Sequence, residues 1–221
     1  MRQMPLPLAG PSAPSFDNFQ AGPNAAAVSY LRGMAMPGVP VYLWGPGGSG
    51  KTHLLRALVQ EVRQRGLHAR FFDPARPAWP QLEWTLVVVD DCERLDEAAQ
   101  ADAFRLFVES VGTGVQIVAA GRLPPVDLPL REDLRTRLGW GPVFGLQPLG
   151  EEQARAVLRQ EADRRGIFLS DEVMDYLLTR FTRDLKHLMA LLDRLDEFAL
   201  SRSRQVTVPL VRQMLEEEPP A

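Results

Sequence analysis

Apolar positions along this chain follow two regimes. Val39 to Trp44 form a short apolar run that stops at Gly45-Pro46-Gly47-Gly48, as a buried strand does when it enters a glycine turn. Leu54, Leu55, Leu58, Val59 and Val62 then recur at helical spacing up to Gly66, which predicts an amphipathic helix with a glycine C-cap. Ala69 to Phe72, Leu86 to Val89, Val115 to Ala120 and Val143 to Leu146 are further runs of strand length. Among them, Ala98, Phe104, Leu106, Phe107 and Val111 predict a helix. Asn24 ahead of Ala25-Ala26-Ala27-Val28 predicts another, with the asparagine as its cap. Strands alternating with helices give an α/β fold: a parallel sheet covered on both faces.

After Pro148 the strand signal stops. Helices are expected at 151–165, 170–181 (capped by Ser170), 184–201 and 208–217, the last entered through Val208-Pro209. Residues 1–15 carry four prolines and no apolar period, so they read as an extended tail. The expected organisation is therefore a tail at 1–15, an α/β nucleotide-binding domain at 16–149 and a small all-helical lid domain at 150–221.

Composition narrows the class. Hydrophobic residues make up 45% and charged ones 24%, ordinary values for a soluble globular protein. A net charge of −3 argues against gripping duplex DNA through a broad basic surface. Cys92 is the single cysteine, which excludes an intramolecular disulfide framework and reads as a buried thiol. No apolar run approaches the ~18 residues needed to span a bilayer, and the start has no signal-peptide stretch, so a cytoplasmic protein without membrane contact is expected. Of 25 basic residues only Lys51 and Lys186 are lysines, leaving 23 arginines. A GC-rich genome explains the arginines. The lysines that remain then mark positions where a compact point charge is needed and a planar fork does not serve.

Lys51 lies in Gly45-Pro46-Gly47-Gly48-Ser49-Gly50-Lys51-Thr52, which matches G-x-x-x-x-G-K followed by Ser or Thr without a mismatch. Between a strand and a helix, such a loop aims backbone N–H groups at an anion. Lys51 would reach the β- and γ-phosphates and Thr52 would hold Mg²⁺. Thr85-Leu86-Val87-Val88-Val89-Asp90-Asp91 is a strand ending in two carboxylates: Asp90 is placed to bind Mg²⁺ and Asp91 to polarise water. Arg137, in Asp133-Leu134-Arg135-Thr136-Arg137-Leu138-Gly139-Trp140-Gly141, is either an arginine finger or an ordinary surface arginine. Lys186 is either an exposed helix lysine or a cation reaching a nucleotide. His53 lies beside the loop, but three scattered histidines have no metal-ligand spacing. In the tail, Gln3-Met4-Pro5-Leu6-Pro7-Leu8 is a plain linker or a segment whose Met4, Leu6 and Leu8 anchor in a partner's groove while Gln3 makes hydrogen bonds.

Together these residues carry a resemblance. GPGGSGKTHLL (Gly45 to Leu55), the VVVDD strand and the helical lid resemble an AAA+ ATPase of the DnaA clade. QMPLPL, Ser15-Phe16-Asp17-Asn18-Phe19, the Arg135 to Gly141 segment and Leu146-Gln147-Pro148-Leu149 resemble, more narrowly, the DnaA regulatory inactivator Hda family. The resemblance implies an AAA+ parallel-sheet base with a helical lid. The implied protein holds ADP (or ATP) with Mg²⁺, is tethered to the DNA-loaded sliding clamp of DNA polymerase III, and triggers ATP hydrolysis by the initiator DnaA. DNA is met only through the clamp, and no helix-turn-helix domain is expected after the lid.

By the same resemblance, Arg137 is the finger supplied in trans and Gln3, Met4, Leu6 and Leu8 bind the clamp. Pro46 to His53 bind nucleotide, Phe16 and Phe19 lie near adenine, and Lys186 takes the sensor 2 position. Two departures stand out. Sensor 2 is usually arginine, and sensor 1 is usually Asp or Asn where this chain has Gly121. Both point to weak hydrolysis by the protein itself. Self-association, head to tail as AAA+ modules assemble, stays open. The alternative is an autonomous AAA+ ATPase acting as a helicase- or transposition-associated loader, which would need efficient hydrolysis and gives no reason for QMPLPL.

Overall fold

A computed structural model describes residues 13–75, 84–181 and 185–218, and these fall into two compact units that meet in sequence at Pro148 and Leu149. The first unit is built on five parallel strands: β1 (Val41–Trp44), β2 (His68–Phe71), β3 (Trp84–Val89), β4 (Gln116–Gly121) and β5 (Val143–Gly145). Their order across the sheet is β2-β3-β4-β1-β5. Helices α1 (Ala25–Gly33), α2 (Lys51–Gln64), α3 (Glu97–Thr113) and α4 (Glu132–Leu138) connect and cover them. This is the parallel, two-sided sheet that the alternating pattern predicts.

Period-two alternation decides which side each strand residue serves. Val41, Leu43, Leu86, Val88, Val118 and Ala120 face one core, with Leu54, Leu55, Leu58 and Val62 of α2 and Leu31 of α1. Tyr42, Val87, Val89, Ile117 and Ala119 face the other, with Phe107 of α3 and Leu134 and Leu138 of α4. Because both faces are covered, the central strands are mostly apolar, and the buried Gln116 at the start of β4 pairs its amide with the Gly38 N–H and the Val39 carbonyl.

Helix α4 occupies a stretch to which apolar periodicity assigns no element. It has seven residues, with acidic Glu132 and Asp133 in its first turn and Arg135 and Arg137 in its last, an arrangement that suits the helix dipole. The amphipathic stripe that reveals longer helices has no room in two turns. Its buried side rests on Leu134 and Leu138 alone.

Asn24 departs from the role its sequence position predicts. Its side chain makes no cap hydrogen bond to α1. Instead its Nδ2 donates to the Gln147 carbonyl and its Oδ1 accepts from the Gln147 N–H, both at 2.9 Å. An asparagine amide matches a backbone amide edge to edge, and here that match was stronger than the local cap. The chain beyond β5 is thereby fastened to the start of α1. Cys92 is buried, with its Sγ 3.8 Å from the Val89 carbonyl, and burial pushes the thiol pKa well up.

The second unit consists of α5 (Glu151–Arg164), α6 (Asp171–Arg180), α7 (Leu185–Arg202) and α8 (Val208–Glu217). Ser170 caps α6, as its sequence predicts, and Thr207 caps α8 ahead of Pro209. Leu158, Met174, Leu192, Leu195, Val211 and Met214 fill its core at full burial. Arginine–carboxylate pairs tie its helices together: Arg159 pairs with Asp171 at 2.5 Å and Arg155 with Asp175 at the surface, and the buried Arg165 side chain with Asp193 at 2.5 Å. Among the described residues, no helix is long and apolar enough to cross a membrane.

Replacing Asn24 by Ala removes both partners of the Gln147 amide in a buried place. Chemical denaturation should show a loss of about 2–3 kcal/mol, above the ~1 kcal/mol expected for a cap alone. Asn24→Asp should be as damaging, because a carboxylate cannot donate to the Gln147 carbonyl.

Candidate functional site

The loop between β1 and α2 is pressed against its neighbours, and two glycines make that possible. A Cβ on Gly45 would lie 2.3 Å from the Leu146 carbonyl oxygen. One on Gly50, whose φ is +92°, would lie 2.4 Å from Phe19 Cε2. The Gly45 N–H donates to the Gly121 carbonyl at 3.3 Å, fixing the start of the loop to the end of β4. Helix α2 begins at Lys51 with no side-chain cap. Its first N–H groups therefore face the loop's concavity at the positive end of the helix, the arrangement that holds a phosphate. Pro46, Gly47 and Gly48 form the exposed rim, while Ser49 is buried.

Lys51 is buried to 7% exposure, and its Nζ donates to the carbonyls of Gly45 (2.7 Å) and Pro46 (2.9 Å). Burial lowers its pKa, opposed by the carboxylates of Glu93, Asp90 and Asp91. The Thr52 hydroxyl donates to Asp90 Oδ2 at 2.7 Å, so the two residues predicted to share Mg²⁺ meet across 38 positions of sequence. Burial raises the Asp90 pKa, against hydrogen bonds from Thr52 and the Asp91 N–H that lower it. Asp91 adopts a left-handed backbone (φ 49°, ψ 48°), and its carboxylate lies 3.5 Å from Arg94. Such a conformation costs a non-glycine residue about 1–2 kcal/mol and re-aims its side chain at the strand end.

The donor set fits a polyphosphate and a hard cation: a helix N-terminus, a desolvated ammonium, and a hydroxyl joined to one carboxylate. Among the described residues, no three His, Cys, Asp or Glu side chains cluster as a self-sufficient metal site. Thr52 and Asp90 would thus share a Mg²⁺ with phosphate oxygens and water. Phe19 packs on Gly50 and meets the His53 ring at a 54° tilt, with ring centroids 5.4 Å apart. His53 Nε2 donates to the Ser15 carbonyl at 2.9 Å, and burial lowers its pKa. Phe16 is buried in the α1–α2 core, with the Arg32 guanidinium 5.4 Å from its ring. Phe19 thus borders the loop directly, whereas Phe16 belongs to the core beneath the same segment.

Two residues that the sequence reading passed over lie against Gly121. A Cβ there would lie 2.3 Å from the Tyr42 hydroxyl and 3.1 Å from Glu93 Oε2. Tyr42 is fully buried and donates to the Leu123 carbonyl at 2.9 Å. Glu93 accepts the Arg122 N–H at 3.2 Å and pairs with the Arg122 guanidinium at 3.3 Å. The missing side chain at Gly121 is therefore enforced: tyrosine fills the space that an Asp or Asn would need. A tyrosine, with its hydroxyl, in the middle of the buried apolar run of β1 was the available signal.

Arg137 occupies the last turn of α4, its guanidinium 3.9 Å above the ring of Trp140 and 5.9 Å from Phe104. Lys186 is the second residue of α7, and its side chain lies outside the described residues. So do Gln3, Met4, Leu6 and Leu8.

A carboxyl whose pKa is raised by the fold binds its proton more tightly folded than unfolded, so its charged form lowers stability at neutral pH. Asp90→Asn mimics the neutral form and can still accept from or donate to Thr52. Its thermal midpoint at pH 7 should exceed that of the wild type. The difference should close as pH falls to the ordinary aspartate value of 3.8.

Known proteins share these features. Residues 151–215 match the family model described as Hda, lid domain. Domain III of the Thermotoga maritima replication initiation protein DnaA superposes with a TM-score of 0.76 at 20% identity, over 92% of this chain and 95% of that one. AMPPCP-bound DnaA from Aquifex aeolicus gives 0.69 at 21% identity, over 85% of this chain and 66% of that one, so this chain spans about two thirds of that protein. The Thermotoga maritima RuvB Holliday junction branch migration motor gives 0.67 at 15% identity, over 92% of this chain and 72% of that one. The α/β unit thus has the AAA+ fold, and the helical unit belongs to the Hda lid-domain family, as the resemblance to Hda read from the sequence implies.

Proposed function

We propose that this protein is a cytoplasmic, nucleotide-bound negative regulator of replication initiation, which docks on ATP-bound DnaA and accelerates that protein's hydrolysis of ATP. The match of residues 151–215 to the Hda lid domain carries this reading. Lys51, the loop N–H groups and the first turn of α2 bind the phosphates of ADP or ATP. Thr52 and Asp90 hold Mg²⁺, and Phe19 and His53 wall the side of the loop. The AMPPCP held by the similarly folded Aquifex DnaA supports a nucleotide in this place.

Gly121 and Tyr42 favour a regulator over an autonomous loader. With tyrosine against the sensor 1 position, no polar side chain at Gly121 orients water for hydrolysis in cis. Binding and hydrolysis are thereby uncoupled, which suits a protein whose nucleotide keeps it in its docking shape. Arg137 acts instead on the initiator, its guanidinium entering the partner's site to neutralise charge on the γ-phosphate. The QMPLPL segment ties the protein to the sliding clamp through Gln3, Met4, Leu6 and Leu8, so it meets DNA through the clamp. Lys186 reaches phosphate from the lid as a point charge where relatives use a fork.

In a reaction containing DnaA loaded with labelled ATP, the sliding clamp on DNA and this protein with ADP, hydrolysis should accelerate. Arg137→Ala should remove the acceleration, by the 10³–10⁵ typical of a finger at most. Equal acceleration by Arg137→Ala, or none by the wild type, would refute the reading. Gln3→Ala should lose retention on immobilised clamp while leaving nucleotide affinity unchanged, and full retention would discard the tether. Lys51→Arg should abolish ADP binding in equilibrium dialysis, because the guanidinium is too broad for the space between the Gly45 and Pro46 carbonyls.

A further inference from the structure

Helix α4 carries three arginines along its length or at its entry, and they are held differently. Arg131 forms a two-pronged ion pair with Asp133 (3.2 and 2.7 Å). Arg135 donates to the Val126 carbonyl at 3.1 Å. Among the described residues, no carboxylate pairs with Arg137. Its guanidinium lies 3.9 Å from the Trp140 ring centroid, with Phe104 at 5.9 Å on α3.

We propose that Trp140 is the positioning residue of Arg137: its indole fixes the guanidinium from one face while leaving the charge unneutralised and the N–H edge free for an oxyanion. This rests on the finger reading above. A carboxylate would also fix the arginine, but it would consume the donors and cancel the charge the finger is to deliver. An aromatic face does neither, since stacking uses the plane of the guanidinium and leaves its in-plane donors outward.

The backbone is built to hold the ring there. The Trp140 N–H donates to the Arg137 carbonyl at 3.3 Å, folding the chain back under its own helix. Gly141 follows, where a Cβ would lie 1.9 Å from the Pro40 carbonyl oxygen. Pro142 then accepts from the Tyr42 N–H at 3.0 Å. The backbone that carries the indole is thus anchored to the entry of β1 on one side and to α4 on the other. It remains 56% exposed, so burial in the core does not explain a tryptophan at this position.

The test uses the full protein with ADP, clamp on DNA and ATP-bound initiator, measuring both the plateau rate and the half-saturating concentration. Trp140→Leu, which keeps apolar bulk and removes the π face, should lower the plateau about tenfold with little change in half-saturation. Trp140→Phe should restore most of the plateau. In an Arg137→Ala background, Trp140→Leu should cause no further loss. Equal plateaus for the Leu and Phe variants would overturn the proposal. So would a defect confined to half-saturation, which marks a docking contact, or an added loss in the Arg137→Ala background. An inactive Arg137→Ala beside a fully active Trp140→Leu sinks the positioning role alone. A fully active Arg137→Ala sinks the finger and the positioning role together.

Discussion

The site depends on how closely the chain leaving β1 is held between the ends of its two neighbours in the sheet. Gly45 donates to Gly121 at the end of β4, and Leu146 beyond β5 donates to the Trp44 carbonyl at 2.6 Å. With a backbone on each side, the loop can turn only where Cβ atoms are absent, and its N–H groups face inward. Lys51 then has one place to go, among the loop's own carbonyls, and Thr52 falls beside Asp90. The same closeness governs the far side, where Tyr42 from β1 fills the room next to Gly121.

The division between arginine and lysine follows from space. On the helical unit and along α4, most arginines stand at open positions (the buried Arg165 excepted), where a planar fork can reach two oxygens or lie on a ring, and these contacts give the lid an ion-paired surface. Most such exposed pairs are worth less than about 1 kcal/mol each, so they shape the surface more than they hold the fold. Lys51 works in a desolvated slot that admits only a narrow stem with a compact head. A bias toward arginine can sweep the surface and stop there.

Much of this was legible in the sequence because the signals are local. The apolar runs of β1, β3 and β4, the loop motif, the Ser170 cap of α6 and the Pro209 entry of α8 each depend on residues a few positions apart, and they lie where the pattern places them. What escaped depends on residues distant in sequence. Asn24 reads as a cap until Gln147 is beside it. The bareness of Gly121 reads as a lost function until Tyr42 is seen to exclude a side chain. Helix α4 has too few turns to display a stripe. The partner-facing roles proposed for Arg137 and the Gln3 to Leu8 segment, and the nucleotide role proposed for Lys186, were read from family likeness, since no pattern within one chain encodes what a second chain will offer.

The Asn24 clamp also bears on how the protein is made. Its two halves are 123 residues apart, so its closure is among the most non-local contacts of the first unit, and loop-closure entropy sets it late. The segment carrying Phe16, Phe19 and α1 is synthesised first and packs on α2, yet its tie to the chain beyond β5 forms only when Gln147 arrives. On the ribosome, the wall beside the loop lacks this second tie until nearly the whole α/β unit has emerged. A nascent chain truncated before Gln147 therefore carries the complete loop motif without a complete pocket.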